Sequence, residues 1–194
     1  MSARLVLASA SPQRRNILGG LGLAFEVRPT DAPELESGDA AAVALENARR
    51  KAAAAAAHPD ARPGDLVLAC DTVVATEAGI WGKPADEERA RATLRHLSGR
   101  DHEVVGGLVL LQDGEEVTAV ERTIVTFREL DDDLLDWYLG CGEWEGRAGG
   151  YAIQGRGAAL VRRIGGDYLN VVGLPVAALL DLRPTLLREF AAGA

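Results

Sequence analysis

Short apolar runs of strand length alternate with helical segments through the first hundred residues, and two longer runs then face each other across an Asp113-Gly114 turn. That order restricts the chain to a mixed sheet. Strands separated by helices pair in parallel, and strands joined by a tight turn pair antiparallel. Arg4 to Ala8 reads as the first strand. Ser9-Ala10-Ser11-Pro12 is a loop closing on a helix start, with Ser11 as N-cap and Pro12 as first helical residue. This helix stops at Gly19-Gly20, Ala24 to Val27 gives a second strand, and Pro29 to Gly38 is a polar loop. Ala-rich sequence from Asp39 to His58, with Leu45, Ala48, Ala52 and Ala55 at helical spacing, forms a long helix suited to close packing.

Leu66 to Cys70 is a buried strand that delivers Asp71 and Thr72 at its carboxyl end, with Val73 to Thr76 running on toward a turn at Glu77-Ala78-Gly79. Trp81-Gly82-Lys83-Pro84 is a loop, and Asp86 to Leu97 is a helix closed by Ser98-Gly99. His102 to Leu111 and Glu116 to Phe127 make the hairpin, followed by a short helix over Asp131 to Leu139. Ala158 to Ile164 is a further strand, and Pro175 to Phe190 a terminal amphipathic helix. The expected architecture is α/β in the mixed α+β sense: a partly antiparallel twisted sheet with flanking helices. At 194 residues the chain is expected to form one domain over 1–194.

Charge excludes some partners. The 21 basic and 29 acidic side chains leave a net charge of −8, which disfavours a broad face for a nucleic-acid backbone while leaving room for a small anionic ligand. No apolar run reaches the roughly 18 residues of a membrane span. Cys70 and Cys141 lack metal or disulfide spacing and suit a reducing, cytoplasmic compartment. The three histidines show no zinc-ligand spacing.

Three constellations carry candidate chemistry. Arg14 and Arg15 occupy the first turn of a helix, where acidic residues are preferred, so an external anion would compensate them; the hydroxyls of Ser9 and Ser11 add donors of the kind a phosphate accepts. A capped helix with solvated arginines is the alternative. Asp71 closes an apolar strand at the edge where open α/β sheets place ligands, and such a carboxylate needs a cation, a metal or hydrogen bonds. Lys51 and Lys83 are rare lysines in an arginine-rich chain, and a lysine serves phosphate as a point charge. Glycine density over Gly149 to Gly155 and Gly165 to Pro175 permits either turns or close approach to a ligand.

Taken in order, Leu7 to Arg15, Ala48 to Ala52, Asp71 to Val74, Gly82-Lys83-Pro84, Leu97-Ser98-Gly99, Ala148 to Gly155 and Gly166 to Pro175 resemble the Maf family, once named for septum-formation inhibition. The resemblance spans nearly the whole chain. It implies a fold related to the inosine triphosphatases, with two lobes around a cleft, and commonly a homodimer. It also implies hydrolysis of a nucleoside triphosphate to monophosphate and pyrophosphate with a divalent cation, Mg²⁺ or Mn²⁺. By position, Asp71 matches the catalytic aspartate, Arg14 the phosphate-side arginine, and Lys51 and Lys83 the cleft lysines. Glu34 falls near the family's acidic position and is a candidate metal ligand with Asp71. Thr72, Gln154 and Gln13 match positions tied to base choice.

Gln13 departs from the branch acting on thymidine and uridine triphosphates, which carries arginine there. Thr72 and Gln154 side with that branch rather than with the one acting on methylated GTP. A glutamine amide offers one donor and one acceptor, matching the carbonyl and N3–H of uracil or thymine, whereas a carboxylate would suit the two N–H groups on guanine's edge. The expected substrate is therefore dTTP, UTP or a modified pyrimidine nucleotide, with broader selectivity because of Gln13. A methylated-GTP enzyme and a nucleotide-binding division regulator without turnover are the alternatives. An ordinary aspartate, with a pKa near ~3.9, is a weak base for free water, so a metal is expected to acidify the water.

Overall fold

Residues 3–193 are described by the structure, a computed structural model. Strand β1 (Leu5–Leu7) lies between β2 (Phe25–Val27) and β3 (Leu66–Thr76), parallel to both, with helix α1 (Pro12–Gly20) crossing from β1 to β2. Helix α2 (Ala40–Ala56) returns the chain to β3. The short β4 (Gly79–Trp81) folds back on β3, and α3 (Glu87–Leu97) leads into the hairpin of β5 (Asp101–Gln112) and β6 (Glu115–Phe127). After α4 (Asp132–Leu139), strand β7 (Val161–Gly165) pairs antiparallel with β6, completing a seven-stranded sheet in the order β2-β1-β3-β5-β6-β7 with β4 beside β3. Helices α5 (Tyr168–Val172), α6 (Val176–Leu182) and α7 (Leu186–Glu189) end the chain. The sheet is mixed, as the strand–helix–hairpin order requires.

Alternation along the strands sends side chains to two cores. Leu5, Leu7, Leu66, Leu68, Leu108 and Leu110 pack toward α1 and α6, whereas Val6, Ala8, Val67, Ala69 and Val109 meet the alanine stripe of α2 at Ala48, Ala52 and Ala55. A third cluster, built on Val104, Val125 and Phe127, is covered by α3 and α4. The alanines let α2 approach closely, and Gly107 of β5 completes the fit: a Cβ there would stand 2.3 Å from the carbonyl carbon of Ala44. Helix α2 is thus set against the sheet by backbone contact.

The position of Asp71 is a correction. It does not close a strand but sits near the middle of the eleven residues of β3. The reason is unequal strand length. Parallel pairing with β1 covers only Leu66 to Leu68, whereas antiparallel pairing with β5 continues to Ala75. Beyond Leu7 the β1 side of β3 lacks a parallel neighbour, and the ligand edge expected at a strand terminus opens there instead.

Two further elements differ from expectation. Gly155–Leu160 is 3₁₀ turns, so the strand placed over Ala158 to Ile164 begins only at Val161. The terminal helix divides into α6 and α7 because Pro184 has no N–H to give and drives Arg183 to φ −139°, ψ 81°. Helix α5 lies inside the segment read as glycine-rich loop.

Gly107→Ala should destabilise the fold by about 1–3 kcal/mol, read from urea midpoints, because the added methyl meets α2 backbone that cannot yield cheaply. Gly20→Ala, at a helical position with nothing within 4 Å of the new carbon, should be neutral or stabilising. Equal behaviour of the two variants would refute close backbone packing of α2.

Candidate active site

The opening beyond β1 is a cleft of ≈ 440 Å³, and Ser9, Ser11, Gln13, Arg14, Glu34, Lys51, Asp71, Thr72, Lys83 and Gln154 all line it. Of the candidate residues read from the sequence, all but Arg15 are thus brought to one place. Lys51 and Lys83 are the only lysines in the chain.

One wall is the turn from β1 into α1. The Ser11 side chain caps the helix by accepting from the Arg14 backbone N–H, and the first turn holds no acidic residue. Arg14 turns inward and is 8% exposed, whereas Arg15 faces solvent. The Arg14 guanidinium donates from Nε to the Gly173 carbonyl at 2.8 Å, from Nη1 to Ser9 Oγ at 3.0 Å and from Nη2 to Thr72 Oγ1 at 3.2 Å. All three acceptors are neutral. Among the described residues Arg14 has no carboxylate partner, so a buried positive charge faces the cleft beside the positive end of a helix.

The floor is formed by β3 and α2. Spacing of four residues puts Asn47 and Lys51 on one face of α2, turned toward β3. Lys51 Nζ lies 2.5 Å from Asp71 Oδ1 and 2.6 Å from Glu34 Oε1, so one ammonium joins the two carboxylates. The other oxygen of Asp71 accepts from Asn47 Nδ2 at 3.1 Å, and the other oxygen of Glu34 stands 3.7 Å from Lys83 Nζ. Asp71 is largely buried, whereas the Lys83 side chain is 60% exposed at the rim.

The opposite wall is the segment from Arg147 to Gln154. Its backbone is pinned by Gly149 N–H to the Gly82 carbonyl at 3.1 Å and by Ala152 N–H to Tyr138 Oη at 3.0 Å. The Tyr151 hydroxyl lies 2.9 Å from His102 Nε2. Burial raises both tyrosine hydroxyls above their ordinary range and pushes the His102 imidazole down to about 4. These groups are therefore neutral props under the wall. Burial likewise raises the Cys70 thiol, which keeps it protonated beneath the cleft.

The three positions that the family resemblance ties to base choice differ in their freedom. Thr72 is engaged with Arg14, Gln13 Oε1 accepts from Ser11 Oγ at 3.0 Å, and Gln154 is exposed on the opposite wall. The Gln154 amide thus has both its donor and its acceptor to offer. Sequence reasoning missed Asn47, whose place four residues before Lys51 was the available signal. It also missed Arg147 and Thr30, which line the cleft with a buried Nε and a buried hydroxyl that have no partner among the described residues.

A family model described as Maf-like protein matches residues 4–185. The chain is 42% identical over 181 residues to a dTTP/UTP pyrophosphatase of Pyrococcus furiosus, covering 92% of this chain and 93% of the relative. It is similar to proteins of the same description from Anaeromyxobacter dehalogenans, at 47% identity over 91% of each chain, and from Deinococcus radiodurans, at 46% identity over 92% of this chain and 91% of the relative.

Two predictions follow from the walls. Inorganic tripolyphosphate should raise the melting temperature of the wild type and leave Arg14→Met unmoved; saturation at about 100-fold over Kd corresponds to ~2.7 kcal/mol of linkage. An equal shift in both proteins would remove Arg14 from the anion site. His102 is held below its unfolded value, so its contribution is complete above pH 6.5 and is lost as pH falls toward about 4. In this window the unfolding free energy from urea titrations should fall more steeply for the wild type than for His102→Gln, by up to about 1.4 kcal/mol per pH unit.

Proposed function

Because the chain belongs to the Maf family, we propose that its cleft hydrolyses a nucleoside triphosphate to the monophosphate and pyrophosphate, with dTTP and UTP preferred. The observation that carries the reading is Arg14. It is a buried guanidinium with only neutral acceptors, aimed into the cleft that also holds Asp71, Glu34 and both lysines. Such a charge is stable when an anion completes it.

Arg14, the Ser9–Ser11 turn and the exposed start of α1 would hold phosphate oxygens, with Lys83 reaching from the rim. Lys51 would exchange its carboxylate partners for phosphate. Asp71 would then orient water toward the α-phosphorus and accept its proton, as the bond from that phosphorus to the bridging oxygen breaks and pyrophosphate leaves. On the facing wall, the free Gln154 amide would pair with the carbonyl and N3–H of a pyrimidine. A mismatched base would leave buried polar groups unpaired at about 1–3 kcal/mol each.

A divalent cation fits the donors present. Glu34 and Asp71 supply hard carboxylate oxygens close enough to share one ammonium, the ligand type that Mg²⁺ and Mn²⁺ take. Among the described residues no group of three or more His, Cys, Asp or Glu side chains could hold a metal, so substrate phosphates and water would complete the coordination. When bound, the ion would supply charge neutralisation and a more acidic water.

The remaining features of the reading rest on the family and on composition. A homodimer is what the family implies. A small-molecule substrate rather than nucleic acid accords with the net charge of −8. No helix among the described residues is long and apolar enough to cross a membrane, and Cys70 and Cys141 are free thiols, in keeping with the cytoplasm.

With Mg²⁺ or Mn²⁺, UTP and dTTP should release pyrophosphate about 10–100-fold faster than ATP or GTP. Chelation should abolish the reaction, and Asp71→Asn should lower kcat by roughly 100-fold or more. Orthophosphate as the first product, or near-normal turnover by Asp71→Asn in saturating metal, would count against the assignment. Binding without turnover in the wild type would favour a nucleotide sensor.

A further inference from the structure

Asn47 is 2% exposed and spends its whole amide on two elements of the cleft. Its Oδ1 accepts from the Leu35 backbone N–H at 2.7 Å, and its Nδ2 donates to the Leu35 carbonyl at 3.1 Å and to Asp71 Oδ2 at 3.1 Å. The pair with Leu35 satisfies both backbone groups of one loop residue, as a neighbouring strand would. Leu35 immediately follows Glu34. One rigid side chain on α2 therefore holds Asp71 directly and Glu34 through the next residue's backbone.

We infer that Asn47 is a positioning residue that fixes the separation of Glu34 and Asp71, so that Lys51 can leave them for phosphate without the two carboxylates shifting. The inference rests on the reading of Asp71 and Glu34 given above. In the structure Lys51 is the other link between them, and it is the one a triphosphate withdraws. Without Asn47 that withdrawal would leave two like charges facing each other, one of them on a long loop. A residue serving only to fill the site would need no amide, because leucine branches at the same carbon and would pack there with apolar contacts alone.

Asn47→Leu removes all three hydrogen bonds, and Asn47→Asp keeps only the acceptor for Leu35 N–H. Two measurements on the whole chain decide the matter: kcat and KM for UTP, and the rate at which a glutamate-specific protease cuts after Glu36 in the absence of nucleotide. Asn47→Leu should lower kcat by about 10–100-fold with KM within roughly threefold, since a misplaced catalytic group costs turnover more than binding. Cleavage after Glu36 should accelerate by at least about fivefold, as an unanchored loop opens more often. Asn47→Asp should lower kcat comparably while accelerating cleavage less, and it decides the question should the leucine variant not fold. Unchanged kcat in a variant whose loop is cut faster, or an unchanged cleavage rate, would overturn the inference. If the wild type hydrolyses no triphosphate, the functional reading beneath it fails instead, and that failure is recognisable because wild type and variants are equally silent.

Discussion

The Lys51 ammonium, held between Asp71 and Glu34, is the contact through which the rest of the cleft is arranged. Removing Lys51 and Asp71 from water costs several kcal/mol per ion in a low-dielectric setting, and mutual attraction offsets this only with good geometry, to which the half-exposed Glu34 adds. That geometry is supplied from a distance. Gly107 and the alanine stripe bring α2 against β3 and β5, which sets Lys51 over the middle of β3, and β1 ends early enough to leave this place open. A longer β1 or a bulkier residue at Gly107 would close or displace the site without altering any residue in it.

Charge explains why so compact a cluster is poised for an anion. Lys51 is matched by its two carboxylates, but Arg14 adds a buried positive charge with no carboxylate partner among the described residues. Its three neutral acceptors come from the β1–α1 turn, from β3 and from the end of α5, so the guanidinium also ties together segments far apart in sequence. Arg14 is a structural clasp, and under the proposed reading the hydrogen bonds that fix its plane would also preorganise it for a phosphate.

Much of this was legible in the sequence because it depends on local rules. Strand–helix alternation and the Asp113-Gly114 turn gave a mixed sheet, Ser11 capped α1, and of the two arginines in that helix's first turn Arg14 lines the cleft. What failed depended on tertiary relations. Asp71 was placed at a strand end because the apolar run stops at Cys70, whereas the strand continues wherever β5 continues to pair with it. The terminal helix was drawn through Pro184 because the apolar spacing persists across the break. Asn47 carries no sequence signal apart from its spacing to Lys51, since its value lies in reaching Leu35 and Asp71 simultaneously.

The positions tied to base choice show the same dependence. Thr72 follows Asp71 and would be expected to read the base, yet its hydroxyl is spent on Arg14. Under the proposed reading, a residue at this position would influence selectivity by setting the guanidinium as much as by touching a base. A glutamine there would place a longer, bifunctional amide against Arg14 and change its plane. Gln13 is likewise half-engaged with Ser11, leaving an Nε2 donor where an arginine would bring a charge. Replacing a charged fork by one neutral donor would weaken the grip without inverting its preference, so under the proposed reading discrimination would fall chiefly to Gln154. That side chain stands on the wall pinned by Tyr138 and Gly82, and its selectivity is only as sharp as that wall is rigid.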